Sequence, residues 1–224
     1  MTDWRNREAN VLFQTYRRQP VVITRGEGTR VWDDAGKSYL DFIAGVAVNA
    51  LGHASPVVTN ALVEQVKLVV QVSNHFYNTP MIELAEVLVQ NSCLDRVFFC
   101  NSGTEAIEAC LKLARRWGGE NRNGAFEIIT TDNAFHGRTF GSVTAGGSEK
   151  YSAPFAPLPG GFVHVPFGDL NAIKAATNGR TAAVLLEPIQ GEAGVNVPPA
   201  GYLKAVRDWC TEAGILFMLD EVQT

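Results

Sequence analysis

The chain has 224 residues, 46% hydrophobic and 19% charged, with a formal net charge of −4. That length suits one large domain or two small ones and can bury a core without disulfides or metal, while the near-average composition excludes extensive disorder and fibrous architecture. The mild acidity leaves no basic stripe for nucleic acid, and no run approaches the roughly 20 apolar residues that cross a bilayer.

The first 20 residues read as a polar arm in which Val11, Leu12, Phe13 and Tyr16 offer one short helical face. Its start, Met1-Thr2-Asp3-Trp4-Arg5, is too polar for a secretory signal. Cysteines stand at 93, 100, 110 and 210 with no C-x-x-C spacing. Reduced thiols in a cytoplasmic protein are therefore expected, and metal binding is not. Residues 21–50 read as short strands, Val21–Ile23, Thr29–Trp32 and Ser38–Phe42, with a turn at Asp33-Asp34-Ala35-Gly36. Ser55-Pro56 and Thr79-Pro80 each look like a helix start, followed by the apolar faces Leu62, Val66, Val69, Val70 and Leu84, Val87, Leu88.

From residue 97 onward short apolar runs alternate with amphipathic helical patterns. The runs are Val97–Phe99, Glu127–Thr130, Ala182–Leu186 and Ile215–Leu219, and the helices cover about 104–117, 168–176 and 200–213. Such alternation predicts an α/β domain with a mostly parallel sheet. Ligands of open α/β sheets gather beyond the carboxyl ends of the strands, so the residues after each run are where chemistry is sought.

Four segments stand there. Asn101-Ser102-Gly103-Thr104-Glu105-Ala106 opens a helix, and its glycine, hydroxyls and free amides suit a phosphate. Ser102-x-x-Glu105 is equally an ordinary capping box. Phe135-His136-Gly137-Arg138 combines a ring for stacking with a guanidinium fork for a carboxylate; a core Phe and a surface Arg are the plainer alternative. Glu187-Pro188-Ile189-Gln190-Gly191-Glu192 sets two carboxylates at a strand end. Asp220-Glu221-Val222-Gln223 puts an acid just past an apolar strand, where burial demands a cationic partner or several donors.

In this order the four segments resemble the class III aminotransferases, pyridoxal-phosphate enzymes of the aspartate-aminotransferase fold, and most of all their acetylornithine branch. Tyr39–Asn49, Leu51-Gly52-His53, Ser73–Asn78 and Val165–Asp169 support the likeness. It implies a fold type I large domain over 55–224, only partly present, preceded over 1–54 by the arm and a small α+β segment. It implies that Ser102, Gly103 and Thr104 hold the pyridoxal 5'-phosphate phosphate group and that Phe135 packs on its ring. Asp220 would pair with the ring nitrogen and Gln223 with the ring hydroxyl region. Arg138 would bind the substrate α-carboxylate, and Glu192 would pair with an Arg further along. The implied reaction passes the δ-amino group of N2-acetyl-L-ornithine to 2-oxoglutarate, in arginine biosynthesis, in a cytoplasmic homodimer. Ornithine, succinylornithine or 4-aminobutyrate are alternative donors, and a non-catalytic cofactor-binding module is a further alternative. All six lysines, from Lys37 to Lys204, precede Asp220, whereas the family's Schiff-base lysine follows it and would lie beyond Thr224. The resemblance therefore implies a fragment of a longer enzyme, with no catalytic residue of its own present and little or no transamination alone.

Overall fold

Apolar runs rich in Ile, Val and Leu, closed off by glycine, proline and polar turns, build the central feature, a four-stranded parallel sheet. The computed structural model describes residues 3–224 and divides after Asp95 into two units, 1–95 and 96–224.

In the first unit, Asp3 caps α1 (Trp4–Val11) by accepting the Asn6 amide at 3.1 Å. Leu12, Phe13 and Tyr16 lie beyond this helix, so the apolar face expected for the arm does not form. β1 (Ile23–Glu27), β2 (Arg30–Asp33) and β3 (Ser38–Leu40) form an antiparallel sheet in that order. The turn between β2 and β3 is tied by the Asp33 carboxylate, which accepts the Tyr39 hydroxyl at 2.7 Å and the amides of Lys37 and Ala35. These bonds, the Tyr39 hydroxyl foremost, hold the Asp33 carboxyl below its ordinary range. A short irregular turn, α2 (Ala44–Ala47), precedes α3 (Pro56–Val66) and α4 (Thr79–Gln90). Both proline-led starts are present, but Ser55 makes no side-chain cap, and Asn78 rather than Thr79 caps α4. No residue of 3–95 is buried; Leu62 and Val66 of the α3 face are 64% and 61% exposed.

The second unit carries the core. Its elements are α5 (Gly103–Asn121), β4 (Glu127–Thr131), α6 (Phe140–Ala145), α7 (Glu149–Ser152), β5 (Phe162–Val165), α8 (Leu170–Ala176), β6 (Thr181–Leu186), α9 (Tyr202–Ala213) and β7 (Leu216–Leu219). The strands are all parallel, in the order β5-β4-β6-β7. Strand periodicity sorts the side chains to two faces. Ile128, Ala183 and Leu185 pack with Ile107, Leu111 and Ala114 of α5, and Ile129, Val184 and Leu186 pack with Ile173 of α8 and Val206 and Cys210 of α9. Helices on both faces explain why β4 and β6 are buried along their whole length.

Two expectations change. Val97–Phe99 is not a strand among the described residues, and Phe98 is 72% exposed. A strand is made by its ladder partner, and the apolar run by itself supplies none. Phe162–Val165, not expected as a strand, becomes β5 because it pairs in register with Ile128–Thr131.

A hydrogen bond ties the α8–α9 layer, the Trp209 Nε1–H donating to Thr177 Oγ1 at 3.1 Å. Thr177→Val keeps the volume and removes the acceptor. It is expected to lower stability by about 0.5–1.5 kcal/mol, seen as a lower urea midpoint at unchanged m-value.

Candidate functional site

Because the four strands are parallel, their carboxyl ends share one edge, and the segments leaving β4, β6 and β7 meet there. The segment after β7 also meets the start of α5: a methyl on Gly103 would stand 3.0 Å from Val222 Cγ2.

Asp220 is 8% exposed, and its amide donates to Leu186 O at 2.8 Å, an anchor at the end of β6. One carboxylate oxygen accepts the Val222 amide at 3.1 Å. The other lies 2.8 Å from Nδ1 of His136, which is 2% exposed. On the far side of the imidazole, Nε2 faces Thr130 Oγ1 at 3.4 Å, and that hydroxyl donates to Ala145 O at 2.9 Å. The imidazole is thus held between the Asp220 carboxylate at Nδ1 and the Thr130 hydroxyl at Nε2. The partner that a buried acid after β7 requires is therefore a histidine, not the lysine or arginine that a cation search would seek first.

Phe135, next to His136, is held by a second strand-end acid. Its amide donates to Glu187 Oε2 at 3.0 Å. Burial pushes the Glu187 carboxyl above its ordinary range. The Arg138 guanidinium carbon stands 5.3 Å from the Phe135 ring centre and 4.1 Å from that of Tyr151. Phe135, Lys150, Tyr151 and Glu192 line a cleft of about 210 Å³ with Asn133 and Asn196. Gln190 is 2% exposed and closes the back of this loop, donating to Asp132 O at 2.9 Å. Gln223 lies beside Gly191, where an added methyl would sit 3.7 Å from its Cγ.

At the start of α5 Ser102 caps the helix with its side chain, but the Glu105 carboxylate accepts the Asn101 amide at 2.8 Å and not that of Ser102, so the expected capping box is only half formed. Ser102 Oγ accepts the Glu105 amide at 3.3 Å and donates to its carboxylate at 3.0 Å. Thr104 Oγ1 is 2.7 Å from Ser142 Oγ and 3.0 Å from Thr139 Oγ1. The capping and anion-binding alternatives are compatible, since the first-turn amides of Gly103 and Thr104 have no intrahelical acceptor in either case. Glu108 completes this corner by accepting the Thr139 hydroxyl and the amides of Gly141 and Ser142 at the start of α6.

The aminotransferase class III family profile matches residues 13–224. The chain belongs to the class III aminotransferases. It is 50% identical over 217 residues, 97% of its own length, to the acetylornithine aminotransferase of Methanothermobacter thermautotrophicus, of which it covers 54%. Among solved structures it resembles the ornithine aminotransferase of Toxoplasma gondii, seen with partial occupancy of PLP at its active site. The TM-score is 0.95 at 34% identity, covering 99% of this chain and 53% of that one. The acetylornithine aminotransferase of Elizabethkingia anophelis superposes with a TM-score of 0.81 at 35% identity, over 98% and 52% of the two chains. The chain spans about half the length of the relatives it matches. Its fold is the fold type I α/β architecture of the family.

Within this class III chain, the residues singled out from the sequence lie in the second unit. Asp220, Phe135 and Arg138 are joined through the His136 turn, Glu192 lines the cleft, and Ser102, Gly103 and Thr104 open α5. Thr224 is exposed and lies outside the cleft lining. The lysine that does line the cleft is Lys150, whose ammonium stands 5.3 Å from the Tyr151 ring centre. His136, a weak signal alone, is a buried side-chain partner of Asp220. Tyr151 was not foreseen, because nothing near Lys150-Tyr151 marks a ring that will stack on Arg138. Thr139-x-x-Ser142 is a box legible in the sequence, and it ties α6 to Thr104.

Proposed function

We propose that this chain carries the cofactor-holding part of a pyridoxal-phosphate-dependent aminotransferase. The whole protein would move the δ-amino group of N2-acetyl-L-ornithine to 2-oxoglutarate, giving N-acetylglutamate 5-semialdehyde and glutamate. The observation that carries this is the meeting, on one strand-end edge, of a buried acid, an aromatic ring and an open helix start. Identity to acetylornithine aminotransferases over nearly the whole chain supports the substrate.

The donor set fits pyridoxal phosphate. The hydroxyls of Ser102 and Thr104 already bond within the protein, so the Gly103 and Thr104 amides, at the positive end of a 19-residue helix, are the donors that remain for the phosphate. Asp220, fixed by His136 and the Val222 amide, would hold the proton of the ring nitrogen. Phe135 would lie against the ring and Gln223 near its hydroxyl. When bound, the cofactor supplies the electron sink of the reaction. Arg138, backed by two aromatic rings, would grip the substrate α-carboxylate with its planar fork. Glu192 stands across the cleft as a carboxylate that selects among substrates by charge.

Assays of the whole protein with 2-oxoglutarate as acceptor test the substrate. The highest kcat/KM is expected with N-acetylornithine; a preference for ornithine, succinylornithine or 4-aminobutyrate replaces it. Absence of saturable pyridoxal phosphate binding overturns the cofactor assignment, and binding without turnover leaves the cofactor-binding module. We propose further that the whole protein is a cytoplasmic homodimer, supported by the exposed apolar surface of the first unit. Among the described residues no helix is long and apolar enough to cross a membrane.

A further inference from the structure

Two adjacent residues of the loop after β4 are held by acids from two different strands. His136 is held by Asp220 after β7, and Phe135 by Glu187 after β6. The chemistry proposed above uses Asp220 and leaves Glu187 without a task. Yet Glu187 is 5% exposed, and the burial that pushes its carboxyl upward makes its ionised form costly to keep there. The charged groups around it, His136 and Asp220, act in opposite directions. Its hydrogen bond goes to a backbone amide, that of Phe135, at 3.0 Å. Phe135, with the Arg138 guanidinium stacked on its ring, lines the cleft. An apolar residue at 187 would pack at the strand end without a desolvation penalty and would leave that amide untied.

We propose that Glu187 is a positioning residue that holds the Phe135 amide and so sets the height of the Phe135 ring. It touches neither cofactor nor substrate and acts through that amide. This rests on the assignment of a pyridoxal-phosphate site, and Phe135 is the contact through which the ring senses it.

The test compares the protein with its E187A, E187D and E187Q variants by two measurements. The first is amide hydrogen exchange, which needs no cofactor. In E187A and E187D the Phe135 amide is expected to exchange about tenfold faster or more, the order of effect of one lost buried hydrogen bond, while Ile129 and Val184 in the sheet keep their protection. E187Q, which retains an acceptor oxygen at the same reach, is expected to restore the slow exchange. The second measurement uses pyridoxamine 5'-phosphate, a probe that binds without a covalent lysine link. E187A and E187D are expected to bind it about tenfold more weakly, with a diminished induced circular dichroism of its ring band, and E187Q within about threefold of the parent. Shortening to Asp keeps the charge but withdraws the acceptor, so E187D serves where E187A does not fold.

Parent-like Phe135 exchange in E187D overturns the inference, as does an E187Q that behaves like E187A. Fast exchange in E187A and E187D with unchanged probe affinity and dichroism also overturns it, because the strut would then not set the ring. A parent that fails to bind pyridoxamine phosphate overturns the cofactor assignment and the ring-positioning role with it, whereas the exchange data report on the strut alone.

Discussion

Replacing Asp220 by alanine is expected to weaken pyridoxamine 5'-phosphate binding on the order of 100-fold, equivalent to roughly 3 kcal/mol. The same change is expected to lower the stability of the protein without ligand by about 1–3 kcal/mol, because His136 Nδ1 loses its acceptor in a buried site. The two effects separate in Asp220→Asn. Its amide oxygen can still accept from Nδ1, so most of the stability is expected to return. A neutral amide cannot balance a protonated ring nitrogen, so the binding loss is expected to remain. Titration by ring fluorescence and urea unfolding of the three proteins measure both quantities. Parent-like affinity in Asp220→Ala would remove Asp220 from the cofactor site. Equal stability losses in both variants would mean that the carboxylate charge, and not the acceptor oxygen alone, holds His136.

The second large effect is expected at Gly137, which has a φ of +119. A methyl there would meet Thr104 Oγ1 at 2.3 Å, Thr104 Cβ at 2.6 Å and Ser142 Oγ at 2.8 Å. Gly137→Ala therefore carries a backbone penalty of about 1–2 kcal/mol. It adds an overpacking term of about 1–3 kcal/mol, paid where the His136 turn presses on the start of α5. Since Thr104 is the residue displaced, weakened binding of inorganic phosphate or of the cofactor phosphate is expected to accompany the loss of stability. Gly119→Ala is the internal control. It lies on α5 with open space around it, and alanine there is expected to stabilise the helix by roughly 0.5–1 kcal/mol. Thermal unfolding in the presence and absence of pyridoxamine phosphate reads both changes. A Gly137→Ala protein with parent stability would show that the turn relaxes away from Thr104.

Much of the candidate site was legible before any coordinates. Parallel strands end on one edge, so residues that follow apolar runs must be neighbours, and Phe135, Arg138, Glu192, Asp220 and Gln223 all come from such positions. The start of α5 was equally readable, because Ser102 and Glu105 mark a helix N-terminus by their spacing alone.

Local periodicity was enough to determine the cores of β4, β6 and β7, the helices that cover them and the alternation of Ile128 with Ile129 and of Ala183 with Val184 between the two faces. These depend on neighbours a few residues away. Tertiary structure alone decided the partners. His136 and Asp220 are 84 positions apart, and Phe135 and Glu187 are 52 apart, so no local signal tells which acid meets which group. The same holds for strands. Phe162–Val165 gained a ladder from β4, while the more apolar Val97–Phe99 gained none. It holds too for Gly118 and Gly119, alike in sequence. A methyl on Gly118 would stand 2.1 Å from the Ala125 carbonyl oxygen, and one on Gly119 would face open space. Length, composition and charge excluded whole classes of protein at the outset; which buried group answers which is a matter of long-range packing, and only the folded chain contains it.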